Sequence, residues 1–266
     1  MKKYYGILLM FLFISCNKNE LSNEIFVKGS EFDFSNYLNI ESEKNYISDF
    51  YISKYMVTRE QYEYFVVETS YEEYKSSDME HSFFTVMPES DSPAMFVSFY
   101  DACAYCNWLS LKNNLQQVYK FTQNNEVEIN KIADGYRLPT KIEWFYAFLG
   151  GIGAKNKWWD KLQLSDYVNN TFGIYSSIGK LQPNSLGLYD MLGNGLEWTE
   201  TDINRDNLSV QENYKFVIGT GIPGNSIQDY DDLINFLTAI YIDETVAYAE
   251  KKYFYIGFRI ARNAIN

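Results

Sequence analysis

Several short patterns in the chain carry residue types that do chemistry, and each asks for a different kind. Asp190-x-x-Gly193-x-Gly195-x-Glu197 places two carboxylates and two glycine carbonyls within eight residues. That spacing can wrap an oxygen-seeking cation such as calcium, and a turn closed by internal hydrogen bonds would use the same residues. Asp202-x-Asn204-x-Asp206 opens like a calcium loop, but Asn207 stands where the glycine belongs and Asn213 where the bidentate Glu belongs. An ordinary polar loop is the better reading there. Cys103-x-x-Cys106 has dithiol spacing. Redox use asks for a thiolate at a helix N-terminus, and buried thiols or a local disulfide are the plainer alternatives. Gly219-x-Gly221-x-x-Gly224 spells a dinucleotide fingerprint, with Asp243 downstream. Pro223 and Asn225-Ser226 make a poor helix start, which argues for a loop. His81, between Glu80 and Ser82, reads as a surface residue. Asp229, Asp231 and Asp232 are the remaining carboxylates that an enzyme could use.

Composition removes whole classes of chemistry. With one histidine and three cysteines in 266 residues, a His-dependent triad, a multi-His metal site and a multi-Cys zinc site all lack parts. The formal charge is −12, and no run of Lys and Arg builds a basic face, so nucleic acid is not an expected partner. Aromatics at 18% exclude a disordered chain.

The elements that must position these residues announce themselves by their caps. Thr58-x-x-Gln61, Ser98-x-x-Asp101 and Thr140-x-x-Glu143 are capping boxes, each leading into apolar residues at helical spacing. Strands are expected over Asp49–Tyr55, Lys215–Ile218 and Tyr253–Ile260, which are short and rich in aromatic or β-branched residues. Between about 165 and 235 turn residues recur every few positions, so that stretch reads as irregular. A single mixed α+β domain over 25–266 is the economical expectation.

The first residues are not fold. Met1-Lys2-Lys3 is basic, Tyr4 to Ile14 is almost unbroken apolar, and Ser15 precedes Cys16. Residues 1–15 read as an export signal, its apolar stretch too short to span a bilayer. Phe13-Ile14-Ser15-Cys16 resembles the bacterial lipoprotein cleavage box, with Phe13 in the place usually held by Leu. The resemblance implies diacylglycerol on Cys16. Two or three acyl chains, at roughly 0.8 kcal/mol per buried methylene, would anchor the protein stably to a membrane. Residues 16–24 are then a polar tether, and the domain lies outside the cytoplasm in the cell envelope.

Five segments, taken in order, resemble the formylglycine-generating enzyme/sulfatase-modifying factor family. They are Phe50-Tyr51-Ile52 with Tyr55 to Thr58; Pro93 and Val97 to Leu109; Gly135 to Thr140 with Glu143-Trp144; Pro183 to Asn194 with Glu197-Trp198; and Gly257-Phe258-Arg259. The resemblance implies a C-type-lectin-like fold, loop-rich and poor in regular structure, with calcium held in its loops. In its terms Asp190 and Glu197 are side-chain ligands of one calcium, Gly193 and Gly195 main-chain ligands, and a shortened second site begins near Asn169. Gly195 would then stand harmlessly where Val or Ala is usual. The family enzyme oxidises a sulfatase cysteine with a late copper-binding cysteine pair. Here Gly224 and roughly Asp229 occupy those positions, and residues 107–266 contain no cysteine. No copper is therefore expected, since soft thiolates are what hold Cu(I).

Two functions follow as expectations. One is a non-catalytic, lipid-anchored binding or structural protein whose surface at 199–250 recognises a protein or glycan. Tyr214, Phe216, Tyr230, Phe236, Tyr241 and Tyr248 would be its anchors, unless they fill the core. The other is an enzyme of unknown chemistry on the same fold.

Overall fold

All three capping boxes close as helix starts. The computed structural model describes residues 23–71, 86–122, 126–156, 168–169, 174–202, 213–219, 230–243 and 246–264. Within them Thr58 caps α1 (Arg59–Thr69), Ser98 caps α2 (Phe99–Lys112) and Thr140 caps α3 (Lys141–Leu149). Each cap is reciprocal. At α3 the Thr140 backbone N–H donates to Glu143 Oε2 at 2.8 Å, and the Glu143 N–H donates to Thr140 Oγ1 at 3.2 Å. Two otherwise orphaned donors are satisfied at each start. A fourth helix, α4 (Tyr230–Asp243), begins inside the stretch expected to be irregular and runs past its end.

The strands are short. In chain order they are β1 (Glu24–Val27), β2 (Glu31–Asp33), β3 (Lys44–Tyr46), β4 (Phe50–Ser53), β5 (Tyr119–Phe121), β6 (Val127–Ile129), β7 (Tyr136–Arg137), β8 (Val168–Asn169), β9 (Leu192–Gly193), β10 (Leu196–Asp202), β11 (Tyr214–Gly219), β12 (Val246–Tyr248), β13 (Ile256–Gly257) and β14 (Ala261–Asn263). One four-stranded sheet runs β1-β4-β14-β7 and another runs β12-β11-β10-β13, beside three two-stranded pairs. The strand expected over Tyr253–Ile260 is not continuous. Only Ile256 and Gly257 pair, parallel to Leu196 and Glu197, and the next pairing strand begins at Ala261. Each of these short stretches is anchored to a different sheet, so the segment crosses between them.

The second sheet divides the interior, and strand alternation decides what faces where. Leu196, Trp198 and Val217 pack with α1 and α2 in one apolar cluster, together with Ile256 and Phe258. Phe216 and Ile218 point the other way, into a cluster with α3, Phe34, Phe50 and Leu237 of α4. Phe216 and Tyr241, proposed above as surface anchors, are buried in that second cluster. Their apolar area is worth more inside than at a surface. The alternation also turns Glu197 inward, toward Trp144 of α3.

The α3 cap bears a second duty. Glu143 accepts from Arg137 Nη1 and Nη2 at 2.7 and 2.6 Å, and Arg137 also reaches Asn263 Oδ1 in β14. Losing the cap alone, in Thr140→Ala, is expected to cost about 1 kcal/mol. Glu143→Ala also strands the Arg137 guanidinium and is expected to cost about 3–5 kcal/mol. Urea denaturation of the two variants checks the order, and a larger loss for Thr140→Ala would overturn it.

Candidate functional site

The most concentrated polar chemistry in the interior sits at the junction of the two sheets. Glu197 on β10 and Arg259, between β13 and β14, have side chains 1% and 0% exposed. Arg259 Nε donates to Glu197 Oε2 at 2.6 Å and Nη2 donates to Oε1 at 2.7 Å, a two-pronged pair. The remaining guanidinium donors reach the carbonyls of Ser53 at 3.2 Å and Tyr189 at 3.0 Å. Trp144 Nε1 donates a third bond to the carboxylate, at 2.9 Å to Oε2. The planar fork of arginine suits this arrangement as a lysine would not.

The turn that precedes Glu197 is closed by its own hydrogen bonds. Gly179 N–H donates to Asp190 Oδ2 at 2.8 Å. Asn194 clamps Ser176 from both sides, accepting from its N–H and donating to its carbonyl, each at 3.0 Å. Asp190 and Asn194 adopt the left-handed conformation at φ 57°, and Gly193 and Gly195 lie at φ 126° and 120°. A Cβ on Gly195 would come within 2.2 Å of Met95 Cε. Glycine suits this position by its backbone angle, which L side chains rarely adopt, whereas the flexible Met95 terminus could move aside. Burial pushes the Asp190 carboxyl up from its ordinary value. The Gly179 bond and Arg259 oppose that rise, and Glu197 adds to it.

These contacts bear on the cation that the four residues were expected to hold. Glu197 does not fit the ligand role, because both of its oxygens already accept from Arg259 and one from Trp144. A calcium ion at Glu197 would have to displace a buried guanidinium from both carboxylate oxygens. Among the described residues no group of three His, Cys, Asp or Glu side chains is arranged to hold a metal. Asn169, where the second calcium site was expected to begin, pairs with Gly193 across β8 and β9.

A second polar cluster lies on the far side of β10. Tyr119 donates its hydroxyl to Glu200 Oε2 at 2.9 Å and accepts from the Leu138 N–H at 2.8 Å. Cys103 and Cys106 lie close by, both free thiols and both fully buried. Cys103 is the fifth residue of α2, past the turn where a helix terminus would favour a thiolate. Burial, with Glu200 nearby, pushes both thiols well above their ordinary value. They are packing residues, and the redox alternative loses its electrostatic basis. Glu200 is itself lifted by burial, against the pull of Arg137 and the Tyr119 hydrogen bond.

Other residues singled out by sequence are scattered. Asp231 and Asp232 are exposed at the start of α4. Tyr214 and Tyr248 are half-buried, their rings in tilted contact with centroids 4.3 Å apart. Cys16, His81, Asn204, Asp206, Gly221, Gly224 and Asp229 lie outside the described residues, as do the side chains of Tyr230 and Phe236. Sequence reasoning passed over Arg259, Trp144, Tyr119 and Glu200 as site residues. A charged residue between apolar neighbours in Phe258-Arg259-Ile260 was the available signal for the first.

Residues 12–264 match the sulfatase-modifying factor enzyme 1-like domain. The chaperone protein LppX of Paenibacillus barcinonensis is 32% identical over 193 residues, which are 59% of this chain and 64% of that protein. The formylglycine-generating enzyme of Bos taurus is 30% identical over 131 residues, 43% of this chain and 28% of that enzyme. The chain thus covers less than two thirds of either relative's length. Among solved structures CarF superposes with a TM-score of 0.67 at 22% identity, over 92% of this chain and 99% of its own, a likeness of fold.

Two outcomes test the site. Arg259→Met leaves a buried carboxylate without its cation and is expected to cost about 3–5 kcal/mol, most of it recovered when Glu197→Leu is added. Calcium or chelator is expected to leave the wild-type melting temperature unmoved, since only a ligand bound by the native state raises it. A rise with calcium would return Glu197 to a ligand role. Glu200 gives a pH signature. Its folded value lies above its unfolded value near 4.5, so its favourable contribution is full below that pH and is lost as pH rises through the raised value. Glu200→Gln removes the loss while keeping an acceptor for Tyr119. The variant should therefore gain stability over wild type as pH climbs from about 4.5 to 8, in parallel urea titrations.

Proposed function

Because the chain belongs to the sulfatase-modifying factor enzyme 1-like family, we propose that it is a non-catalytic member, exported and lipid-anchored through Cys16, that binds a macromolecular ligand at the cell envelope. One observation carries the reading. The three cysteines are Cys16, Cys103 and Cys106, so no thiolate pair exists beyond β11, where the family's oxidation chemistry resides. Cys103 and Cys106 do not substitute for it. They are sealed in the core with their thiols held protonated. Copper therefore has no soft ligand set to occupy, and a scaffold kept without its reactive pair is best used for binding.

The side chains that support binding lie around β11 and β12. Lys251 sits 4.0 Å above the Tyr248 ring, Tyr248 packs at a tilt against Tyr214, and Asn213 Nδ2 donates to the Tyr100 hydroxyl at 2.6 Å. Half-buried tyrosines held by neighbours expose rigid, amphipathic area at little entropic cost, which is how aromatic residues anchor protein partners. A relative named as a chaperone accords with a polypeptide as the ligand. The enzyme alternative would need several carboxylates gathered in one cleft, and of Asp231 and Asp232 only Asp231 lines one, while Asp232 faces solvent.

Purified protein is expected to bind no copper(I) beyond what a Cys103→Ser/Cys106→Ser variant also fails to bind, and to leave a sulfatase-type cysteine peptide unchanged in mass. In cells, Cys16→Ser should move the protein from the membrane to the soluble fraction and abolish palmitate labelling. Stoichiometric copper with peptide conversion would overturn the non-catalytic reading, and unchanged partitioning would overturn the anchor.

A further inference from the structure

Residues 35–39 run against the first turns of α4, and the two segments enclose an open cleft of about 360 Å³. That lies in the range of ~300–1,000 Å³ usual for small-ligand sites. None of its lining residues belongs to the Glu197–Arg259 junction, the thiol cluster or the β11–β12 tyrosines.

The cleft walls are held in place, and the bonds that hold them leave a pattern. The Asn39 backbone N–H donates to Thr238 Oγ1 at 3.0 Å, and Asn39 Nδ2 donates to Asn235 Oδ1 at 3.1 Å. Each of these carboxamides thereby commits one end. The opposite ends of the two exposed carboxamides are the Asn39 Oδ1 acceptor and the Asn235 Nδ2 donor. Asn36 commits its Nδ2 to the Asp33 carbonyl at 3.1 Å, which leaves a second acceptor. The Tyr37 ring is fixed by stacking on Phe32, with centroids 5.2 Å apart and planes 8° from parallel. Ile234 supplies a buried apolar patch beneath. Among the described residues Asp231 is the one charged side chain of the lining, and no Lys, Arg or His joins it.

From this arrangement we infer that the cleft binds a neutral sugar unit. A hydroxyl both donates and accepts, so two vicinal hydroxyls satisfy the Asn39 acceptor and the Asn235 donor together. The C–H face of a pyranose meets Tyr37 and Ile234, burying apolar area while the hydroxyls stay hydrogen-bonded. A phosphate or uronic acid would find a carboxylate and no cation, on a chain whose formal charge is already −12. The inference rests on the binding role proposed above and names the chemical class of ligand for it.

Saturation-transfer NMR on the full chain in a zwitterionic, sugar-free detergent tests the assignment. The probes are the methyl glycosides of glucose, galactose, mannose and N-acetylglucosamine, with methyl glucuronide and glucosamine beside them. At least one neutral glycoside is expected to receive saturation, strongest on its ring C–H protons, with glucuronide silent. Asn235→Ala, on an exposed helix position where alanine is well tolerated, should weaken that binding at least fivefold and leave the melting curve in place. Binding of no neutral glycoside, preference for glucosamine or glucuronide, or binding indifferent to Asn235→Ala each overturns the assignment. The copper and peptide assays report separately on the non-catalytic reading, so the two can fail independently.

Discussion

Two opposite charges with no access to water must find each other, and much of this fold is arranged around that requirement. Glu197 is turned inward by strand alternation on β10, and Arg259 arrives between two strands that belong to different sheets. Their pairing ties the sheets together at one point. The same guanidinium reaches the carbonyl of Ser53 at the end of β4 and the turn carbonyl at Tyr189. A pair of this kind adds little net stability compared with a well-packed apolar replacement, yet breaking one half of it is costly. Its effect is to permit one arrangement of the strands and penalise the others.

A similar logic repeats at lower burial where Arg137, Glu143 and Asn263 meet. There the acid of a capping box serves both a helix start and an ion pair, so local and long-range constraints fall on one side chain. Burial also favours the neutral form of Glu143, and the Arg137 charge together with the cap bonds outweighs it, leaving its pKa below the ordinary value. Glu200 lies near the same arginine but without its direct hydrogen bonds, and burial prevails. Distance and hydrogen bonding, more than residue type, separate the two outcomes.

The sequence disclosed this fold unevenly. Helix starts were legible because a capping box is a local device: Thr58, Ser98 and Thr140 needed only a residue three positions on. The family motifs were legible as well, and the fold came with them. The helix Tyr230–Asp243 was missed because the residues that precede it are turn-forming and drew its start into the stretch read as irregular. Glu197 was legible as a carboxylate but not as half of a pair, since its partner lies 62 residues away. The carboxamide pattern of the cleft depends on Asn39 meeting Asn235, a separation of 196 residues that no local pattern contains.

The place of β14 has a consequence for the order in which the chain can fold. Ala261–Asn263 sits inside its sheet, with β4 on one side and β7 on the other. Neither neighbour touches the other, so this three-residue strand is the only bridge between them in that sheet. A chain emerging from the ribosome has nothing to complete the sheet until residue 263 is free. Closure of this sheet thereby waits for its last strand, and its dependence on long-range pairing slows it. Until then the chain carries an open sheet edge.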